Sequence, residues 1–132
     1  MAKASLWYAM KRPLLRQTSE VNKRGRPLYQ LEDDFRIEFQ IDGGFIAFLV
    51  PYGFRTDFAS IPRVFWVIFP PTGLYDAPSV VHDFLYRRRS KVSRSFADAC
   101  FRELMRLYGV PSWQRSVIYC AVRAFGWMAY KK

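Results

Sequence analysis

The spacing of hydrophobic residues changes midway along this chain, and that change constrains its fold more than any other feature. Between Phe35 and Ile41, apolar and polar residues alternate strictly, as in a strand with one buried face. Asp42-Gly43-Gly44 is a tight-turn signal, and residues 45–50 follow as a further apolar strand. Because Leu28–Leu31 also alternates, residues 28–50 predict a small antiparallel β-meander.

The second half of the chain has helical spacing instead. Apolar residues recur every three or four positions in Pro78–Arg88, Phe96–Tyr108 and Ser112–Ala129. A sheet followed by helices is typical of an α+β fold. A chain of 132 residues that is 51% hydrophobic is long enough to bury one core. We therefore expect one α+β domain, residues 26–132, with about three packed helices.

The N-terminal residues lack such a pattern. Residues 13–27 are rich in charge and show no period, which predicts an arm or an irregular lead-in. We therefore place a basic arm, residues 1–25, ahead of the domain. Residues 1–10 contain no sustained apolar stretch, so they make a poor signal peptide. The apolar run at 117–130 is interrupted by Arg123 and is shorter than the roughly 20 residues of a membrane span. We expect no transmembrane segment.

The chain is strongly basic, with 21 Lys and Arg against 11 Asp and Glu and a net charge of +10. Such a charge attracts polyanions, here nucleic acid, anionic lipid or an acidic cell-wall polymer. The alternative is a solvated surface whose basic arm neutralises the acidic residues of the stretch 28–54. Cys100 and Cys120 both lie in helical patterns, so we expect two buried thiols in a reducing compartment.

Acids are scarce from Arg55 onward, and the single histidine lies among them. Asp57, His82, Asp83 and Asp98 have the ligand types of a site for Mn, Zn or Mg. An ion held there would activate water for hydrolysis, with His82 and Asp83 as the catalytic residues. Individually, two of these carboxylates also suit structural roles. Asp98 fits a capping box with Ser95, and Asp57 fits a cap for the turn 58–61.

The other two members of the cluster have structural alternatives as well. His82 suits a core histidine, and Asp83 suits an ion pair with Arg87 one helical turn later. Basic residues crowd the same stretch, and arginine binds phosphate groups through paired hydrogen bonds. We therefore predict that Arg63 and Arg87 contact an anionic substrate. Ser60, which stands beside the cluster near Arg63, completes the predicted substrate contacts. The alternative for Arg87 is a solvated loop between helices.

Three sequence blocks carry a family resemblance. They are VPYGFRTDFASIPR at residues 50–63, VHDFLY at 81–86 and RSFAD at 94–98. Together they resemble a family of phage and prophage proteins that is catalogued as a domain of unknown function. The resemblance implies a phage or prophage origin, and all four members of the cluster fall inside its blocks. The basic start, residues 1–25, is not covered by the family pattern.

Three functions remain open on this reading. The first is a small metal-dependent hydrolase that acts on an anionic substrate of the phosphodiester type. The second is a non-enzymatic component of the phage virion or of its assembly, which would bind other phage proteins. The third is a protein that binds a host factor through its basic surface. We expect the protein in the host cytoplasm, or packaged in the virion.

Overall fold

The computed structural model describes residues 12–41, 43–58, 64–65, 73–88 and 91–130. Within these residues five strands precede four helices, which confirms the α+β class. The strands are β1 (Leu15–Val21), β2 (Pro27–Leu31), β3 (Phe35–Ile41), β4 (Gly44–Val50) and β5 (Arg55–Thr56). A short 3-10 turn, Gly73–Tyr75, leads into α1 (Asp76–Arg87), α2 (Arg94–Leu107), α3 (Ser112–Phe125) and α4 (Trp127–Tyr130). None of the helices in these ranges is both long and apolar enough to span a bilayer.

The strands form two small antiparallel sheets. One sheet has the order β1-β2-β5, and the other is the β3–β4 hairpin. The hairpin pairs Phe35 with Val50 at its open end and Ile41 with Gly44 at its turn. The three strands predicted between residues 28 and 50 are therefore present, but they are divided between two sheets.

Hydrogen bonds of Leu31 explain this division. Its N–H donates to the carbonyl of Phe54 at 2.8 Å, and its carbonyl accepts from the N–H of Gly53 at 2.8 Å. The chain that leaves the hairpin thus returns to the free edge of β2, where β5 continues the pairing. Gly53 has a φ of +85°, a conformation that other residues adopt only with strain.

The prediction of an irregular lead-in at residues 13–27 is wrong for Leu15–Val21, which forms β1 and pairs with β2. Most β1 side chains are exposed, so the strand carries no hydrophobic alternation that would reveal it. The turn into β2 depends on Asn22, whose Oδ1 accepts from the N–H groups of Arg24 and Arg26 at 2.8 and 2.9 Å. The division into an arm, 1–25, and a domain, 26–132, stays a prediction.

The core lies between the inward face of β3 and the helices. Its largest cluster joins β3, α1 and α2 through Phe35, Ile37, Phe39, Val81, Leu85, Ala97 and Leu104. A second cluster joins α2 and α3 through Phe101, Met105, Ile118 and Val122. The alternation of β3 and the helical spacing of α2 therefore predicted their buried faces correctly. Cys100 is buried as expected, but Cys120 is exposed, so the prediction of two buried thiols is wrong for Cys120.

Candidate functional site

Asp98 is the centre of a buried polar network that joins three helices. Its Oδ1 accepts a 2.5 Å hydrogen bond from the Tyr86 hydroxyl and lies 2.6 Å from His82 Nε2. Its Oδ2 accepts a 2.8 Å hydrogen bond from the Arg123 guanidinium, and the Arg94 guanidinium lies 3.5 Å away. His82 and Asp98 are fully buried. Both oxygens of the carboxylate are thus bound inside the core.

Helical spacing brings these groups together. His82 and Tyr86 are four residues apart on α1, so they present adjacent side chains to α2. Arg94 and Asp98 have the same spacing on α2. The His82 ring also contacts aromatic neighbours, with ring centroids 4.1 Å from Tyr86 and 4.5 Å from Phe101. His82 is therefore a core histidine, as the structural alternative predicted.

The surroundings favour the ionised form of Asp98. Burial by itself raises the pKa of this carboxyl, but hydrogen bonds from His82, Tyr86 and Arg123 and the charge of His82 lower it. The net result is a pKa below the usual value of an aspartate. Burial and the hydrogen bond to Asp98 conversely raise the pKa of the Tyr86 hydroxyl. The network therefore links α1, α2 and α3 through buried hydrogen bonds and ion pairs.

The capping box predicted for Asp98 is wrong. Ser93 is the N-cap of α2, and its hydroxyl accepts the N–H of Phe96 at 3.2 Å. Because α2 begins two residues earlier than the box requires, Asp98 lies on the second turn and faces the core. The cap predicted for Asp57 concerns the turn 58–61, most of which lies outside the described residues.

Asp83 forms a second, separate cluster on the other side of α1. Its side chain is 7% exposed, and Oδ2 is buried with no hydrogen-bond partner in the described ranges. The Arg87 guanidinium lies 3.3 Å from this oxygen, which confirms the predicted ion pair. The guanidinium is not aligned for a hydrogen bond to this oxygen. Burial raises the pKa of Asp83 above its usual value. The charge of Arg87 and a hydrogen bond with Thr56 oppose that rise, and the charge of Asp57 adds to it.

The strand β5 brings Asp57 to this cluster through a strained turn. Phe58 has a φ of +54°, which is unusual for a bulky residue, and its N–H donates to Thr56 Oγ1 at 3.0 Å. The Phe58 ring is buried against Tyr29, with centroids 5.3 Å apart. Asp57 Oδ2 accepts from the Asn22 side chain at 2.6 Å. Backbone strain of this kind is concentrated at functional sites.

Arg87 lies at the surface end of the second cluster. Its guanidinium carbon is 4.8 Å from the centre of the Phe54 ring, and half of its side chain is exposed. The contact with Phe54 holds the guanidinium beside Asp83 while leaving it accessible to an anion. Ser60 and Arg63, the other two residues predicted to bind substrate, lie outside the described residues.

The four predicted metal ligands are therefore divided into two pairs. His82 is bound to Asp98 inside the core, while Asp83 interacts electrostatically with Asp57 near β5. Among the residues with described positions, no three His, Cys, Asp or Glu side chains are arranged to hold one ion. Metal binding by the four residues, and the catalytic roles of His82 and Asp83, stay predictions.

Several members of these clusters were missed by the reasoning from sequence. Tyr86 and Arg94 had a signal, because each is four residues from a predicted site residue on the same helix. Thr56 adjoins Asp57 in the first block. Arg123 and Asn22 had no local signal, since they reach the clusters from α3 and from the turn after β1.

Comparison with known proteins places the chain in a family. An uncharacterized protein, y4jT, from Sinorhizobium fredii (strain NBRC 101917 / NGR234) is 37% identical over 103 residues. The match covers 76% of this chain but only 30% of that relative, so the chain spans less than a third of its length. No solved structure matches significantly. The model of one family matches residues 29–122, which include all four members of the predicted cluster. Since that is well over half of the chain, the protein belongs to the family described as "Protein of unknown function (DUF1353)".

Proposed function

We propose that this protein is a hydrolase of an anionic, phosphodiester-type substrate, with Asp83 as its acid–base residue. One observation carries the proposal: Asp83 Oδ2 is buried and, among the residues that the structure describes, no group donates a hydrogen bond to it. Burying a carboxylate oxygen without a hydrogen-bond donor lowers the stability of the folded protein. A residue with a purely structural role has no need of such a destabilising arrangement. Acid–base residues commonly have such surroundings, because burial moves the pKa of a carboxyl toward neutrality.

The neighbours of Asp83 suit this reaction. Asp57 is a second carboxylate on the strained β5 turn, and its charge helps to raise the pKa of Asp83. The half-exposed guanidinium of Arg87 is available to bind a phosphate oxygen. Ser60 and Arg63 follow in the same sequence block and remain our predicted substrate contacts. His82 has a positioning role in this proposal, since it joins α1 to Asp98 on α2.

A divalent ion fits the second cluster better than the predicted set of four. Mg²⁺ is commonly held by one or two carboxylates, together with waters and substrate phosphates. Asp57 would be the carboxylate ligand of such an ion, and Asp83 beside it would stay free to act as the acid–base residue. His82 and Asp98 would first have to release each other. When bound, an ion of this kind supplies an activated water. We retain Mn, Zn and Mg as candidates, and the resemblance supports a phage-encoded protein that acts in the host cytoplasm or is packaged in the virion.

The test is hydrolysis of bis(p-nitrophenyl) phosphate by the full chain, with Mn²⁺, Zn²⁺, Mg²⁺ or a chelator. We expect Asp83→Asn to lower kcat at least about a hundredfold, which is typical for loss of an acid–base group. Arg87→Gln should mainly raise KM. Glu38→Gln removes a carboxylate from β3 that is paired with Arg36, and it should change neither constant.

Two outcomes would contradict the proposal. One is a wild-type protein without activity under any of these conditions. The other is an Asp83→Asn variant as active as Glu38→Gln. Activity that persists in the presence of the chelator would contradict only the proposed role of the metal, and not the role of Asp83.

A second candidate function is a non-enzymatic virion or assembly component, and the closed Asp98 network favours it. In that role the network fixes how the helices pack, and function should follow stability. Asp83→Asn should then assemble normally into phage particles, whereas Asp98→Asn should assemble poorly because it unfolds. Phage particles that form normally without the wild-type protein would contradict the assembly role.

A further inference from the structure

A second concave site lies on the molecule, away from Asp83. It is a cavity of about 490 Å³ between the turn of the β3–β4 hairpin and the exposed sides of α2 and α3. Its lining includes Gly43 of the hairpin turn, Arg102, Glu103 and Arg106 of α2, and Arg115 and Tyr119 of α3. None of these residues belongs to the site proposed above, so the inference does not depend on the hydrolase proposal.

Among the described residues, three arginines and one carboxylate line this cavity. Arg106 binds Glu103 through Nε at 3.1 Å and through a terminal nitrogen at 2.5 Å, so these two charges neutralise each other. Within the described ranges, neither Arg102 nor Arg115 is paired with a carboxylate. The guanidinium groups of Arg102 and Arg115 therefore line one small cavity, and neither has a partner carboxylate in the described ranges.

The two guanidiniums without a carboxylate are held in place by other contacts. Arg115 donates one N–H to the carbonyl of Val110 at 3.0 Å. The guanidinium carbon of Arg102 lies 5.2 Å from the centre of the Tyr119 ring, in a cation–π contact. Both helices use the four-residue spacing that aligns side chains on one face, with Arg102 and Arg106 on α2 and Arg115 and Tyr119 on α3. Side chains held in this way lose less conformational entropy when a ligand binds.

We propose that this cavity binds a phosphate-bearing ligand, either a free nucleotide or a phosphate of a nucleic-acid strand. Guanidinium groups match phosphate oxygens through paired, charge-assisted hydrogen bonds. The volume lies within the range of roughly 300–1,000 Å³ that is typical of small-molecule sites. The Tyr119 ring adds an aromatic surface beside the cations. Attraction by the net charge of +10 would bring such ligands to the whole surface, and in this cavity the positive charge coincides with a concave shape.

The test is calorimetric titration of the full chain with inorganic pyrophosphate, adenosine monophosphate and a short oligothymidylate. Tighter binding of the mononucleotide would identify a free nucleotide as the source, and tighter binding of the strand would identify nucleic acid. We expect Arg102→Gln and Arg115→Gln each to weaken binding about tenfold, as for the loss of one charge-assisted hydrogen bond. Glu103→Gln should strengthen binding, because it releases Arg106.

Arg16→Gln is the matched control. It removes the same charge from β1 of the three-stranded sheet, where Arg16 is paired with Glu32. We expect it to change binding by less than about twofold. An equal loss of affinity in Arg16→Gln and Arg102→Gln would show that only the net charge attracts the ligands, and would overturn the proposal. Absence of binding by the folded wild-type protein to all three ligands would also overturn it.

Discussion

Asp83 and Asp98 are both buried carboxylates, yet their surroundings move their pKa values in opposite directions. Asp98 receives hydrogen bonds from Tyr86 and Arg123 and contacts His82, so its pKa falls below the usual value. One oxygen of Asp83 receives no hydrogen bond from the part of the chain that the structure describes, and burial raises its pKa. The same residue type therefore stabilises the fold at one position, and at the other it is the carboxyl that we propose for acid–base chemistry.

Asp98→Asn should destabilise the protein strongly. The substitution removes the negative charge that Arg123 and His82 face in the core, and breaking a buried pair typically costs about 3–5 kcal/mol. We expect a loss of about 3 kcal/mol in the free energy of unfolding, measured by urea denaturation at pH 7. Glu103→Gln is the control on the same helix, where an exposed ion pair contributes about 1 kcal/mol at most. Equal losses in the two variants would contradict a structural role for the network.

Acid should remove the contribution of Asp98 to stability. Its pKa is lower in the folded protein than the unfolded value of 3.8, so the unfolded chain takes up the proton first. The stabilisation is therefore complete above about pH 5 and is lost as the pH falls through the folded pKa. We expect the stability of Asp98→Asn to fall less steeply than that of the wild type as the pH is lowered, as followed by circular dichroism. An equally steep fall in the two proteins would contradict the lowered pKa of Asp98.

Asp83→Asn should have the opposite effect on stability. The folded pKa of Asp83 is raised, so the wild type loses stability as the pH rises from the unfolded value of 3.8 through the folded pKa. Replacing the carboxyl with an amide removes that loss. We expect the free energy of unfolding at pH 7 to increase by about 1 kcal/mol. A more stable but inactive variant would mark Asp83 as a functional residue, whereas a less stable one would contradict the cost inferred for its burial.

At the scale of elements, α1 organises both clusters, because adjacent residues on a helix point about 100° apart. His82 and Tyr86 face α2, while Asp83 and Arg87 face the chain around β5. The junction of α3 and α4 completes the arrangement. A Cβ on Gly126 would lie 2.5 Å from the Tyr86 hydroxyl, and it would also collide with the Val122 carbonyl. Gly126 is therefore required by this close approach, since its φ of −64° is open to any residue.

Gly126→Ala should consequently disturb the Asp98 network from outside. Inserting a methyl group into a packed site typically costs about 1–3 kcal/mol, and the Tyr86 hydroxyl would have to move away from Asp98. We expect a loss of stability in this range, measured as a fall in Tm. Gly44→Ala is the control, because its Cβ would meet only the Ile41 carbonyl at an ordinary 3.6 Å. Equal Tm values for the two variants would contradict the close packing of α4 against α1.

At the scale of the whole molecule, β1 links the basic start to the rest of the structure. It forms the outer strand of the three-stranded sheet, and Asn22, which follows it, donates to Asp57 near the candidate site. Arg12 forms a 2.7 Å ion pair with Asp76 at the start of α1. The first residues described therefore contact both the sheet and the helices.

Deletion of residues 1–21 should for this reason cost stability. It removes the pairing of β1 with β2, and each backbone hydrogen bond contributes about 1 kcal/mol. We expect the free energy of unfolding to fall by about 2 kcal/mol or more, measured by urea denaturation. A chain that begins at Arg12 retains β1 and is the control. If the two truncated chains were equally stable, the predicted arm, residues 1–25, would be dispensable for folding.

Local patterns predicted much of this molecule. The alternation in β3, the helical spacing of α2 and the turn at Gly43 are each determined by neighbouring residues, so the α+β class and most of the core follow from the sequence. The sequence also singled out the positions Asp57, His82, Asp83 and Asp98, because acids are scarce and the histidine is single in the second half of the chain.

Tertiary structure decided which of those positions interact. The sequence predicts one cluster of four, but the orientation of α1 separates the pair of His82 and Asp98 from Asp83, which is buried beside Arg87. Arg123 and Asn22 join these groups from distant elements, and no local period indicates such contacts. Likewise β1, an exposed edge strand, is formed by pairing with β2 rather than by its own hydrophobic pattern. Composition and spacing determine which residues are buried, whereas the partner of a buried charge depends on how the helices pack.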